Sequence, residues 1–247
     1  MEKQSRKPTQ KVIVSRNGRF LTTQDGAPFF YLADTAWEMF HRLDRPQTDR
    51  YLADRAAKGY NVIQNALLAP FDGLNKPNAY GHRPFINNDP GNPAVVEGAE
   101  NDYWDHCDYQ IDKADESGIY MAVLPSWGDK VVHGSSGDGP VIFTTEAKAY
   151  DYGHFLGDRY KTRNNIIWVL GGDTDGGQNI WNAMAEGIAD GTNGVCDFDG
   201  YADYSSAIMT YHPMGPSVSS NQYQSSPWLD FNMYQSGHVQ FYLISHS

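Results

Sequence analysis

Carboxylates, amides, histidines and tryptophans recur in this chain just after, or inside, short apolar runs of buried-strand length. Asp34 follows the run Pro28 to Ala33, with Trp37 and Glu38 close behind. Gln64 and Asn65 sit in the run Asn61 to Leu68, with Asp72 and Tyr80 in the stretch beyond it. Trp127, Asp129 and Lys130 follow Ile119 to Leu124, and Asp173 follows Ile166 to Leu170 across Gly171-Gly172. Tyr211 and His212 end a run that begins at Ser206; Tyr234, Gln235 and His238 end one that begins at Trp228. Set side by side, such ends would line one mouth. The chemistry that suits the mouth is glycosidic cleavage, which needs a proton donor at the leaving oxygen and a second carboxylate as nucleophile or base. Partial burial and neighbouring negative charge raise the donor's pKa. Sugar faces rest on Trp or Tyr while short polar groups read the hydroxyls.

Each residue also has an ordinary reading. Asp34 can cap a turn, Trp37 can be core, and Asp129 beside Lys130 can be a solvated ion pair. Asp173 is the hardest to read as structural, because two glycines bring the backbone close and leave a carboxylate at the end of an apolar strand. His82, His106 and His154 read as surface or satisfied core. No nucleophile elbow and no HExxH or other zinc motif occurs. The run Gly171 to Gly177 lacks both the P-loop lysine and the dinucleotide spacing. No cofactor is expected. A metal site built from Asp34, Asp129, Asp173 and His212 is a further alternative.

The elements that must position these residues follow one grammar. The first stretch reads as a β-meander, with Asn17-Gly18 and Asp25-Gly26 as tight turns between Val12, Val14, Phe20 and the run from Pro28. Helices are then predicted from N-caps at Thr48, Asn101 and Thr144 or Thr145, the first two ended by Gly59 and Gly118. A fourth helix is marked by Trp181, Met184, Ala185 and Ile188. Strands alternating with helices, each strand nearly continuous in apolar residues, argue a parallel sheet covered on both faces. Loops after strands are long and loops after helices short, as where strand-following loops build the active face of a βα barrel. The fold class is therefore α/β of (β/α)8 TIM-barrel type, incomplete, with six countable strands. One domain is expected over residues 29–247, preceded by a polar tail and meander over 1–28.

Composition narrows the partners. The 247 residues carry 19 Lys+Arg against 30 Asp+Glu, a net charge of −11. A nucleic-acid partner would require a basic face, and anionic lipid a polybasic patch, so neither is expected. Aromatics reach 13%, in keeping with an oligo- or polysaccharide partner as well as with a core. No apolar run approaches bilayer length. The start, Met1 to Gln10, is polar and lacks a signal-peptide core, so the chain as written is expected in the cytoplasm, or outside it if a leader has been removed. Cys107 and Cys196 match no zinc spacing and are expected as free thiols.

Seven segments taken together resemble the apiosidase-like family of bacterial glycoside hydrolases. They are Tyr31 to Glu38; Arg55 to Gln64; Asp72-Gly73-Leu74 with Pro77 to Gly81; Leu124 to Lys130; Asn165 to Asp173; Tyr211 to Gly215; and Asp230 to His238. The likeness implies a retaining (β/α)8 glycosidase of the endoglucanase or cellulase type. It implies that the strand-four acid, Asp173, is the proton donor and general acid/base. It further implies that Asp34, Trp37, Trp127, Asp129, His212, Gln235 and His238 contact sugar, and Gln64, Asp72 and Tyr80 are expected beside them.

The family's nucleophile is a glutamate after strand seven, and no glutamate occurs from Gly187 to Ser247. The tail from Val239 reads as departing from the family, as a truncated or out-of-frame end would. A six-stranded sheet leaves two open edges, through which self-association is expected unless the N-terminal meander compensates. The leading expectation is cleavage of O-glycosidic bonds in a plant-type saccharide. The alternative is a carbohydrate-binding barrel fragment without catalysis.

Overall fold

The computed structural model describes residues 9–137 and 139–237. Five parallel strands form the central sheet in sequential order: β3 (Ala33–Thr35), β4 (Val62–Ala66), β5 (Tyr120–Leu124), β6 (Ile166–Thr174) and β7 (Met209–Pro213). Between them run α1 (Met39–Arg42), α2 (Arg45–Ala57), α3 (Tyr103–Glu116), α4 (Glu146–Tyr160) and α5 (Gln178–Asn193). A hairpin of β1 (Val12–Val14) and β2 (Leu21–Thr23) precedes the sheet, and a ribbon of β8 (Ser217–Val218) and β9 (Tyr234–Gln235) follows it, with α6 (Ser220–Tyr223) in between.

The alternation of side chains sorts the core into two layers. Ile63, Met121, Val123, Trp168, Leu170, Met209 and Tyr211 pack outward against the helices. Val62, Ala66, Tyr120, Ala122, Leu124, Ile167 and Val169 pack inward, where Val12 of the hairpin joins them. The hairpin is further tied by the Tyr120 hydroxyl, which donates to the Gln10 carbonyl at 2.6 Å, so it floors the inner face at the starts of the strands.

The expected sixth strand, Trp228 to Tyr234, is not in the sheet. Asp230 exchanges two bonds with Met209: its N–H donates to the Met209 carbonyl at 3.0 Å, and its carboxylate accepts from the Met209 N–H at 2.8 Å. Thr210 donates to the Phe231 carbonyl at 2.5 Å. A side chain thus stands where a ladder partner would, and only Tyr234–Gln235 becomes strand, antiparallel to β8. The segment covers the outer edge of β7 without extending the ladder.

Two caps differ from expectation. Asp44, not Thr48, caps α2 through a capping box with Gln47, while Thr48 is buried within the helix. Asp102, not Asn101, caps α3 by accepting from Trp104 and Asp105. Thr145 caps α4 as read. Cys107 and Cys196 are free thiols.

Helices α4 and α5 pack backbone to backbone. Cβ atoms added to Gly153 and Gly157 would lie 2.3 Å and 2.2 Å from the carbonyl oxygens of Met184 and Ile188; on Gly187 and Gly191 they would lie 2.2 Å from those of Tyr150 and His154. Residues rise together along both helices, so the pair is parallel, and four glycines make the approach sterically allowed.

Candidate active site

The site is built at the end of β6. Gly171 and Gly172 adopt φ of +91° and +121°, and Asp173 follows at +48°, a left-handed conformation uncommon for a residue with a side chain. The ladder to β7 shifts register between Gly171 and Thr174. Such a bulge re-aims a side chain, and here it aims Asp173. Neither glycine tolerates a Cβ, which on Gly171 would lie 2.5 Å from the His212 carbonyl and on Gly172 3.0 Å from the Trp127 indole.

Asp173 is held from two directions. The Gln235 amide donates to its Oδ1 at 2.8 Å, and the Asp173 N–H donates to His212 Nδ1 at 3.4 Å. That ring nitrogen lies 3.7 Å from Asp173 Oδ1. His212 in turn sits against Trp37 and Trp127, with ring centroids 5.3 Å and 5.8 Å away, and the two indoles meet at 5.0 Å. The structure therefore gathers Asp173, His212, Gln235, Trp37 and Trp127. Trp127 is 3% exposed and its indole N–H donates to the Ser136 carbonyl, so it forms a wall more than an open platform.

Gln64 reaches the same inner face through strand register: Thr35, Gln64 and Ala122 are neighbours, and the Gln64 amide donates to Thr35 Oγ1 at 3.4 Å.

The other expected residues that the structure describes are engaged by partners of their own. Asp34 pairs in register with Ile63 and faces the helices, where Tyr51 donates to it at 2.9 Å and the Arg55 guanidinium forms an ion pair with it at 3.2 Å. Alternation alone sends Asp34 outward and Thr35 inward. Asp129 is no solvated ion pair: it is 3% exposed and bound to a fully buried Lys130 at 2.8 Å, and the Gly139 N–H donates to it at 2.6 Å. Lys130 also donates to the Ala69 carbonyl, and burial pulls its pKa down. Asp72 accepts from Asn75 within its own loop. The Tyr80 hydroxyl accepts from the Arg45 N–H, and its ring packs on His106 beside α2 and α3. His238 lies outside the described residues. Among the described residues no three metal-ligating groups converge, and Asp34 and Asp129 pair with Arg55 and Lys130, which goes against the alternative that joined them with Asp173 and His212 as ligands.

Glu38 is also engaged. Burial pushes its pKa up, but hydrogen bonds from His41 and Arg42 outweigh that and hold it below the usual glutamate range. The β8–β9 ribbon that carries Gln235 was not legible as a support for Asp173, because its pairing spans a loop with no periodic signal.

Comparison with known proteins bears on the family and the fold. The family described as "Apiosidase-like, catalytic domain" matches residues 15–246. The match runs through the tail from Val239, which corrects the expectation that the likeness ends at His238. A solved structure titled "Glycoside hydrolase" is 35% identical with a TM-score of 0.77, over 93% of this chain and 46% of that one. A glycoside hydrolase family 5 structure from Bacteroides vulgatus ATCC 8482 is 34% identical with a TM-score of 0.74, over 92% of this chain and 45% of that one. The chain thus spans a little under half the length of these two structures. The endo-1,4-beta-mannanase from Rhizomucor miehei, 14% identical over 82% of this chain and 60% of that one with a TM-score of 0.53, shares the fold alone. No curated protein matches. On the family match over nearly its whole length, the chain belongs to the apiosidase-like catalytic-domain family.

Proposed function

We propose that this chain carries the acid/base side of a retaining glycoside hydrolase acting on O-glycosidic bonds of a plant-type oligo- or polysaccharide. The observation that carries the reading is the delivery of Asp173, through a bulge and a left-handed backbone, into a cluster with Gln235, His212 and two indoles. In this reading Asp173 gives its proton to the leaving glycosidic oxygen, and its carboxylate later takes one from water. The Gln235 amide fixes the carboxyl by one oxygen, and Trp37 meets a sugar face. Kinship with structures titled as glycoside hydrolases supports the reaction class.

The second carboxylate is not assigned to Asp34 or Asp129, since one is bound to Arg55 and the other to Lys130. That same observation favours a second reading, a saccharide-binding barrel without turnover. Self-association, in either reading, is assigned to the β3 edge, because the segment from Trp228 covers the β7 edge.

Replacing Asp173 by Asn is expected to abolish cleavage of activated aryl glycosides and mannan oligosaccharides while leaving the unfolding midpoint unchanged. Turnover at the parent rate in that variant would refute the assignment. Calorimetric binding of the same oligosaccharides with no products from the parent would select the second reading.

A further inference from the structure

Outside the Asp173 cluster, a groove of about 590 Å³ runs along the outer side of α5, walled by the loops over residues 195–206 and 225–228. This falls within the size range of small-molecule sites. Its floor is Glu186, only 4% exposed, whose Oε1 accepts from the Gly200 N–H at 2.7 Å. Asn179 and Asn182 present carboxamides along the same face of the helix, and Ser226 and Tyr204 bring hydroxyls from the facing loops. Phe198 stacks on Tyr150 with centroids 4.6 Å apart at 28° and is 42% exposed, so its other face is turned outward.

We propose that this groove is a second saccharide-binding site, separate from the Asp173 cluster. A carboxylate accepts two hydroxyl protons, carboxamides both donate and accept, and an outward aromatic face takes the apolar side of a pyranose ring. The lining holds no lysine or arginine, so a phosphate or carboxylate ligand would meet only negative charge. An organic cation is disfavoured by a different fact. The two buried acids of α5 are already bonded to neutral donors, Glu186 to the Gly200 N–H and Asp190 to the Tyr150 hydroxyl at 3.0 Å. The Gly200 bond fixes the loop against the helix, so the groove is preformed and suited to a neutral polyhydroxylated ligand. The inference is drawn from the lining and does not require Asp173 to be catalytic.

The test is electrophoresis of the full chain through native gels cast with glucomannan or hydroxyethylcellulose. The parent and Asp173→Asn are expected to be retarded alike. Phe198→Ala combined with Asn179→Ala, both exposed positions, is expected to weaken retardation about tenfold. The cleavage rate of an aryl glycoside should be the same in the double variant as in the parent. Equal retardation of parent and double variant overturns the proposal, as does a parent that migrates as in a polysaccharide-free gel. Retardation relieved by agmatine but not by mannohexaose would assign the groove to an organic cation instead. Because aryl-glycoside cleavage is read separately, loss of that activity reports on Asp173, and loss of retardation on the groove.

Discussion

The indole of Trp37 and the imidazole of His212 meet edge to face with centroids 5.3 Å apart, although Trp37 follows one edge strand of the sheet, β3, and His212 lies in the opposite one, β7. In a flat five-stranded sheet those edges would be roughly 19 Å apart. The sheet therefore curls far enough to bring its edges into contact through aromatic rings. Tyr31, just before β3, and Phe231, in the segment that lies along β7, make a second such contact at 6.3 Å.

That contact is open to test. Trp37→Ala removes packing against both Trp127 and His212 and is expected to destabilise the chain by about 2–4 kcal/mol. Urea unfolding monitored by circular dichroism reads it. A change under about 0.5 kcal/mol would mean that the edges are held by something other than these rings.

Gly172→Ala probes how Asp173 is aimed. The new Cβ would require a positive φ and would sit 3.0 Å from the Trp127 indole. Both costs fall on the bulge, so a destabilisation of about 1–3 kcal/mol is expected, with loss of whatever activity depends on Asp173. Gly134→Ala, at φ +79° with open space around it, supplies the control for the backbone term alone. Equal costs at the two positions would show that the indole does not constrain the bulge.

The parallel sheet was legible because each buried strand is an unbroken apolar run, and Asp173 because two glycines precede it. What failed was placement between faces. Asp34 and Thr35 are adjacent, and only strand register decides that Asp34 meets Arg55 while Thr35 meets Gln64. The ion pair of Asp129 and Lys130 looked solvated because neighbouring charges usually are. Its burial depends on Gly137 and Gly139, where a Cβ would lie 2.4 Å and 2.8 Å from Asp129 Oδ2. The run from Trp228 had strand composition, yet Asp230 satisfied the edge of β7 with a side chain. Tertiary partners outweighed local pattern in all three cases.

The α4–α5 contact predicts a sharp steric limit. Gly187→Ala places a methyl 2.2 Å from the Tyr150 carbonyl oxygen, so the helices must separate. Alanine's better helix propensity, worth about 1 kcal/mol, runs the other way. A net destabilisation of about 1–3 kcal/mol is expected, and a stabilised variant would show that the two helices are not in backbone contact.

Lys130→Met should cost more than the loss of one surface charge. It leaves the Asp129 carboxylate, which also accepts from the Gly139 N–H, buried without its ammonium partner, and removes the donor to the Ala69 carbonyl. Breaking a buried pair from one side costs about 3–5 kcal/mol. Adding Asp129→Leu is expected to restore part of that, and a double variant as unstable as the single would argue that the backbone bonds, not the buried charge, set the cost.

The pH dependence of stability should carry a mark of Glu186. Burial, with the negative charges of Asp190 and Asp199 nearby, pushes its carboxyl above the usual glutamate range, against the opposing hydrogen bond from Gly200. Asp190 is raised too, chiefly by burial and by Asp197, while the Tyr150 hydroxyl and His154 pull it back. A folded pKa above the unfolded one means that the native state binds more protons across the interval between them. Stability from these groups therefore falls as pH rises from the ordinary carboxylate range through the raised folded values. Glu186→Gln keeps an oxygen to accept from Gly200 but cannot ionise. Its advantage over the parent is expected to grow as pH rises above the ordinary glutamate range, read as the difference in urea midpoint at each pH. A difference that stays flat or reverses over that interval would show that Glu186 ionises in the folded chain as readily as in the unfolded one.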